Sequence, residues 1–210
     1  EFMEVLMCGI DADWMENVFE VKIIAKLLKL IANDLWLLVS KGTKITPRVE
    51  DIFAFAKLTR FADVKVIIIG QDPYPDEGIA HGLAFSCKSE KIPRSLLNIF
   101  KVLKSNKLIS DHPKTGDLTA WSKEGVLLLN SCPTAQINKK LSRVKLWRNF
   151  MEYVVEKFSA NCMNKLCWML WGKEAQKFSS VISADDYIVK YCHPTAHQDA
   201  GEQEPFLECD

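Results

Sequence analysis

One hexapeptide sets most of what this chain can become: Val64-Lys65-Val66-Ile67-Ile68-Ile69 is largely β-branched and is stopped by Gly70. A continuous apolar run of that length, as opposed to an alternating one, reads as a strand buried on both faces. Three further short apolar runs come after it, Val126 to Leu129, Leu166 to Trp171 and Tyr187 to Tyr191. Between them lie segments with apolar residues at helical spacing: Ser95 to Leu103, Leu146 to Phe158 and Lys173 to Ser180. Strands alternating with helices predict an α/β chain, a three-layer α/β/α arrangement around a central, mostly parallel four-stranded sheet. The first third reads as helical, with Val18 to Leu38 carrying the longest pattern and Lys22, Lys26 and Lys29 on another face. Pro47 interrupts, and Asp51 to Leu58 resumes a short helical stretch.

The 210 residues suit a single domain with a substantial core, and 48% of them are hydrophobic. Lys plus Arg total 27 and Asp plus Glu total 27, so the formal charge is zero. That excludes binding of nucleic acid by bulk charge while leaving room for a locally basic groove. No apolar stretch approaches the roughly 18 residues of a membrane span, so no membrane partner is expected. Seven cysteines stand at scattered positions without a C-x-x-C pair, and Cys162 and Cys167 have no histidine cluster beside them. Reduced thiols in an intracellular protein are the expectation, and no zinc or iron–sulfur site is. The start lacks a secretory signal pattern. Glu1-Phe2, ahead of Met3, are set aside as a vector-derived remnant, leaving one domain over residues 3 to 210.

The chemically informative residues stand just beyond the strands. The first run leads into Gly70-Gln71-Asp72-Pro73-Tyr74-Pro75, the second into Asn130-Ser131, the third into Gly172 and the fourth into Cys192-His193-Pro194-Thr195. In open α/β sheets ligands bind outside the carboxyl ends of the strands, so a carboxylate, a carboxamide, an imidazole and a phenol converge on one edge. Singly, each has an ordinary explanation. Asp72 can be a turn aspartate bonding its own backbone, or a carboxylate that orients water or steadies a cation. Tyr74 and Phe85 can be core aromatics or a stacking face for a planar ligand. Asn130 can cap a turn or pair with a base edge, and His193 can be structural or a donor to an oxygen gaining charge.

Together they form a pattern. Gly70 to Tyr74, Ala80-His81-Gly82-Leu83-Ala84-Phe85-Ser86, Pro93-Arg94-Ser95-Leu96-Leu97-Asn98-Ile99, Gly116 to Trp121, Gly125 to Asn130 and His193-Pro194 closely resemble the signature of the family 1 uracil-DNA glycosylases. Ile52-Phe53-Ala54-Phe55 fits as well, and the similarity covers nearly the whole chain in the family's order. The resemblance implies that fold, and hydrolysis of the bond joining uracil to deoxyribose in DNA after the base is flipped into a pocket.

By position in those motifs, Asp72 would stabilise the sugar cation and hold the attacking water, and His193 would donate as a neutral imidazole to uracil O2. Asn130 would read O4 and N3–H, Phe85 would stack on the ring, Tyr74 would close the space beside C5, and Gln71 would contact base and water. Pro93, Ser95 and Thr195 would meet the DNA backbone, with Ser95 pinching a phosphate. The leaving group is stabilised by fixed donors, so the resemblance implies no metal and no cofactor.

The sequence also departs from the pattern. Pro75 stands where the family has a histidine that helps hold the water, and Thr195 where it has a serine. Ser142-Arg143 replaces a serine-histidine pair. Lys139, Lys140, Arg143, Lys145 and Arg148 make that stretch basic, equally readable as a DNA-facing patch or a solvated helix face. After His193-Pro194 the family carries a leucine that enters the DNA stack, and an ungapped reading puts His197 there. The chain stops where relatives continue, and truncation and natural absence both fit. The expected partner is uracil-containing DNA, single- or double-stranded, with a DNA-mimicking inhibitor protein or a replication partner as further candidates. The expected state is a monomer and the expected place the nucleus or cytoplasm, depending on the source. The alternative function is a DNA-binding or replication-scaffold protein with weak or no catalysis.

Overall fold

The computed structural model describes residues 1–139, 142–195 and 206. In chain order the strands are β1 (Ile45–Thr46), β2 (Val66–Gly70), β3 (Val126–Asn130), β4 (Ala135–Gln136), β5 (Cys167–Trp171) and β6 (Tyr187–Tyr191). Four of them make one parallel sheet in the order β3-β2-β5-β6, flanked by helices, as the alternation predicted. The chain leaves β2 for one side, then crosses to the other for β5. That reversal opens a crevice at the carboxyl ends of β2 and β5.

Burial explains the composition of each strand. Ile67, Ile68 and Ile69 of β2 and Leu127, Leu128 and Leu129 of β3 are all buried, which is why these runs are continuously apolar. Edge strand β6 keeps Tyr187 and Ile188 exposed, and tolerates Lys190. The helix Val144–Asn161 buries Trp147, Phe150, Met151, Val154, Val155 and Phe158, a stripe repeating every three or four residues. The helix Lys22–Ser40 buries Ile24, Leu28, Ile31, Ala32 and Leu35 in the same way.

An aromatic cluster joins the amino-terminal helices to the sheet: Trp14 stacks on Phe158 at 4.9 Å and meets Phe55 and Phe61 edge-on. The three fully buried indoles each have a partner for the N–H, Trp14 on Thr59 O at 2.8 Å, Trp147 on Thr134 Oγ1 at 2.7 Å and Trp168 on Asp186 Oδ2 at 2.9 Å. A donor buried without one would cost about 1–3 kcal/mol.

The long amino-terminal helix begins later than its periodicity predicts, at Lys22, after a π-helical turn over Met15–Phe19. The stretch from Asp51 divides into a 3₁₀ turn, Val49–Asp51, and a helix, Ala54–Leu58. Phe2, expected to lie outside the domain, opens the helix Phe2–Met7 and packs against the core. β1 and β4 pair antiparallel in a two-stranded ribbon that no sequence pattern announced. Among the described residues no helix is long and apolar enough to cross a membrane.

Candidate active site

Register fixes where the chemistry lies. Gly70 and Asn130 are paired across β2 and β3, so the loop from Gln71 onward starts level with the Asn130 side chain. Ser131 then locks the two strand ends together, its N–H donating to Gly70 O at 2.9 Å and its hydroxyl to Gln71 O at 2.7 Å. β5 and β6 end level at Trp171 and Tyr191, which delivers His193 to the same edge.

A cavity of about 300 Å³ opens there. Gln71, Asp72, Tyr74, Phe85, Pro93, Ser95, Asn130, His193 and Thr195 all line it, as expected from the sequence. His197 lies outside the described residues. Pro73, Pro75, Asp76 and Arg94 complete the lining. The volume sits at the lower end of the range for small-molecule pockets, which suits a single planar base.

Two glycines make the space. A Cβ on Gly70 would lie 2.8 Å from Asn130 Oδ1 and 3.1 Å from the Phe85 ring. A Cβ on Gly172, whose φ is +97°, would lie 3.0 Å from His193 Cβ. Phe85 adopts a φ of +62°, left-handed backbone that costs a bulky residue about 1–3 kcal/mol and that the surrounding structure must enforce. Ala84 N–H donating to Leu128 O at 3.2 Å docks this segment on β3. The Phe85 ring then stands 5.5 Å from Trp171 and 5.9 Å from His193, centroid to centroid.

The polar groups are held in defined states. Thr195 N–H donates to His193 Nδ1 at 3.2 Å, and a backbone N–H can only donate. His193 Nδ1 is therefore an acceptor, which places the ring proton on Nε2 and makes that nitrogen the donor. The loop carrying it is tied down by Asn98 Nδ2, which donates to Pro194 O at 2.7 Å. Asn130 is only 7% exposed, and no hydrogen bond among the described residues engages its carboxamide. A nearly buried amide left open to a cavity is poised for a ligand. The Cys132 thiol is pushed up to about 12, chiefly by burial and further by the charge of Asp72.

Tyr74 is the most constrained of the set. Its hydroxyl donates to Phe85 O at 3.0 Å, and its oxygen lies 2.9 Å from Ser95 Oγ. Since Tyr74 has one proton and Phe85 O can only accept, Ser95 is the donor in the second bond. Burial pushes the phenol upward, which the Ser95 hydrogen bond only partly opposes, so it is a neutral, fixed wall.

In the basic stretch after β4 the two arginines are compensated by the protein itself, and Lys140 lies outside the described residues. Arg143 meets Asp34 at 3.3 Å, and Arg148 meets Glu174 at 3.5 Å and Glu152 at 3.9 Å. Lys139 and Lys145 are exposed. Ser142 Oγ accepts from Gln136 N–H at 2.8 Å.

A parallel sheet with a base-sized crevice at its strand ends, walled by a carboxylate, a carboxamide and an imidazole, defines the class: an α/β protein with its ligand site at the carboxyl edge of the sheet. The profile of the Uracil DNA glycosylase superfamily matches residues 57–207. A uracil-DNA glycosylase of Desulfitobacterium hafniense is 36% identical over 202 residues, covering 92% of this chain and 87% of its own. One from Caenorhabditis elegans is 34% identical over 184 residues, or 86% of this chain, which spans only 64% of the nematode protein's length. The crystal structure of mimivirus uracil-DNA glycosylase superposes with a TM-score of 0.83 at 25% identity, over 90% of this chain and 71% of that one. A variant of the mimivirus protein, solved in complex with UGI, gives 0.80 at 25% identity over 87% and 69% of the two chains. The chain belongs to the uracil-DNA glycosylase family.

Proposed function

We propose that this protein hydrolyses the N-glycosidic bond of deoxyuridine in DNA, releasing uracil and leaving an abasic site for base-excision repair. The observation that carries the reading is the convergence on one cavity of Asp72, Asn130 and His193 with the Phe85 ring beside them. Flipping places the base in the cavity, at a cost of a few kcal/mol that is least in single strands. Phe85 offers its face to the ring. Asn130 has both a donor and an acceptor free for O4 and N3–H, and Tyr74, anchored at two points, fills the place a C5 methyl needs.

As the C1′–N1 bond breaks, its electron pair moves onto uracil and the sugar gains positive charge. His193 Nε2–H then donates to O2, where the negative charge grows. Asp72 stabilises the cation and orients the water whose oxygen bonds to C1′. The water's proton passes to the carboxylate or onward to the departing base. Each group is aimed before the reaction, which is where fixed dipoles are most effective. Pro75 supplies no side-chain donor or acceptor beside Asp72, so this work falls on Asp72.

The same reading includes a monomer acting inside the cell where DNA is, and a DNA-mimicking inhibitor such as UGI, found on the mimivirus variant, as a partner. Asp72→Asn tests it. The change removes the charge but keeps the shape, and turnover on a uracil-bearing single strand should fall about 10²–10³-fold or more. Strand breaks after alkali report the abasic product. An Asp72→Asn protein as active as the unaltered one refutes the assignment.

A further inference from the structure

The cavity has to accept a polyanion, yet among the described residues two of its three formally charged lining residues are the carboxylates Asp72 and Asp76. The third is Arg94. The hydroxyls that the family resemblance assigns to the DNA backbone are engaged by neighbouring groups of the protein. Ser95 is 7% exposed and gives its only side-chain proton to Tyr74. Thr195 Oγ1 lies 2.9 Å from His193 Nδ1, the nitrogen that accepts, so its proton goes there. Both hydroxyls are thus engaged within the protein, and a phosphate oxygen would have to compete for them.

Arg94, by contrast, is exposed at the cavity mouth, next to Ser95, and no ion pair or side-chain hydrogen bond among the described residues occupies its guanidinium. Other arginines of this chain are neutralised by neighbours: Arg48 by Asp51, Arg143 by Asp34, Arg148 by Glu174. A free guanidinium presents five N–H groups in a planar fork matched to a phosphate, and carries its charge at every working pH.

We propose that Arg94 is a phosphate-binding residue of this pocket, holding the backbone of the DNA strand beside the extruded uracil nucleotide and offsetting the two carboxylates. The assignment rests on the glycosylase reading above, and two readouts keep their failures apart. Uracil release by the unaltered chain tests the reaction. Binding of a labelled single-stranded oligonucleotide, monitored by fluorescence anisotropy against salt concentration, tests Arg94 whether or not uracil is released.

Neutralising one phosphate contact makes the plot of log affinity against log salt shallower by about 0.7 for a single strand. Arg94→Gln should show that change, with KM raised about three- to tenfold at low salt and kcat altered less than about twofold, while Arg94→Lys keeps the slope. Melting temperatures of both variants should match the unaltered protein, because the side chain supports nothing internal. An Arg94→Gln protein with an unchanged salt slope overturns the proposal, as does a slope change that Arg94→Lys shares in full.

Discussion

Gly70→Ala adds one methyl group at the most crowded point of the pocket. The new Cβ would stand 2.8 Å from Asn130 Oδ1, 3.1 Å from Phe85 Cε2 and 3.2 Å from Ala84 Cβ. An ordinary carbon–oxygen contact is about 3.3 Å or more, so roughly half an ångström must be found. The backbone cannot supply it, because Gly70 is paired with Asn130 across the sheet and its carbonyl is held by Ser131 N–H. Ala84 is fully buried, and Phe85 is backed by Trp171. The Asn130 carboxamide has no hydrogen bond holding it among the described residues, so it is the group that turns.

A displacement of about 1 Å at a base-reading group costs on the order of 10²-fold in rate, so half of that costs about tenfold, whereas overpacking costs about 1–3 kcal/mol in stability. Gly70→Ala should therefore melt as a folded protein at a somewhat lower temperature while its kcat/KM for uracil release falls about tenfold or more. Gly42→Ala is the control. Gly42 has a φ of +80° with nothing within 4 Å of an added Cβ, so it should lose stability with kcat/KM unchanged. A Gly70→Ala protein with kcat/KM within about threefold of the unaltered one would refute the reasoning, since a misplaced Asn130 edge must cost more than that.

Base choice should depend on the same walls. Tyr74→Ala should allow slow release of thymine and Asn130→Asp slow release of cytosine, measured against a discrimination of roughly 10⁴–10⁵-fold in a site built to pair a polar edge; if both variants keep uracil activity and gain neither base, these two residues do not set specificity. Acid stability should track His81, which is 4% exposed with Nε2 2.6 Å from Ser86 Oγ and whose imidazole is lowered by burial, partly opposed by Asp117. The unfolded chain then binds more protons as pH drops through about 6.5, so the melting temperature should fall as pH drops below about 6.5, and His81→Gln should flatten that slope; an equally steep fall in the variant would place the titration elsewhere.

The sheet was legible because its strands carry their environment in their composition. Val66–Gly70 and Val126–Asn130 are covered on both faces and read as unbroken apolar runs, so their positions came within a residue or two. The ribbon of Ile45–Thr46 with Ala135–Gln136 was not legible, because two residues cannot display a period and its partners are distant in sequence. Phe85 illustrates another blind spot. A phenylalanine at a φ of +62° carries no local sequence mark, since the strain is imposed by contacts that form only in the folded chain.

The candidate site shows where motif transfer stops. Position is set by motif and register: nine residues nominated from the sequence line one cavity, because they stand at or just after strand ends, in adjoining loops, or at the start of the helix Arg94–Ser105. Proton direction is not, because it is decided by whichever neighbour can only accept or only donate. Phe85 O can only accept, so Tyr74 must donate to it and Ser95 must donate to Tyr74. Thr195 N–H can only donate, so His193 Nδ1 accepts and Nε2 keeps the proton. One carbonyl and one amide thus settle the state of four side chains. They leave His193 Nε2 as the ring donor and engage two hydroxyls within the protein. Arg94, which stands in the same motif as Ser95 and attracts no notice there, becomes the free donor at the mouth only once those protons have been assigned.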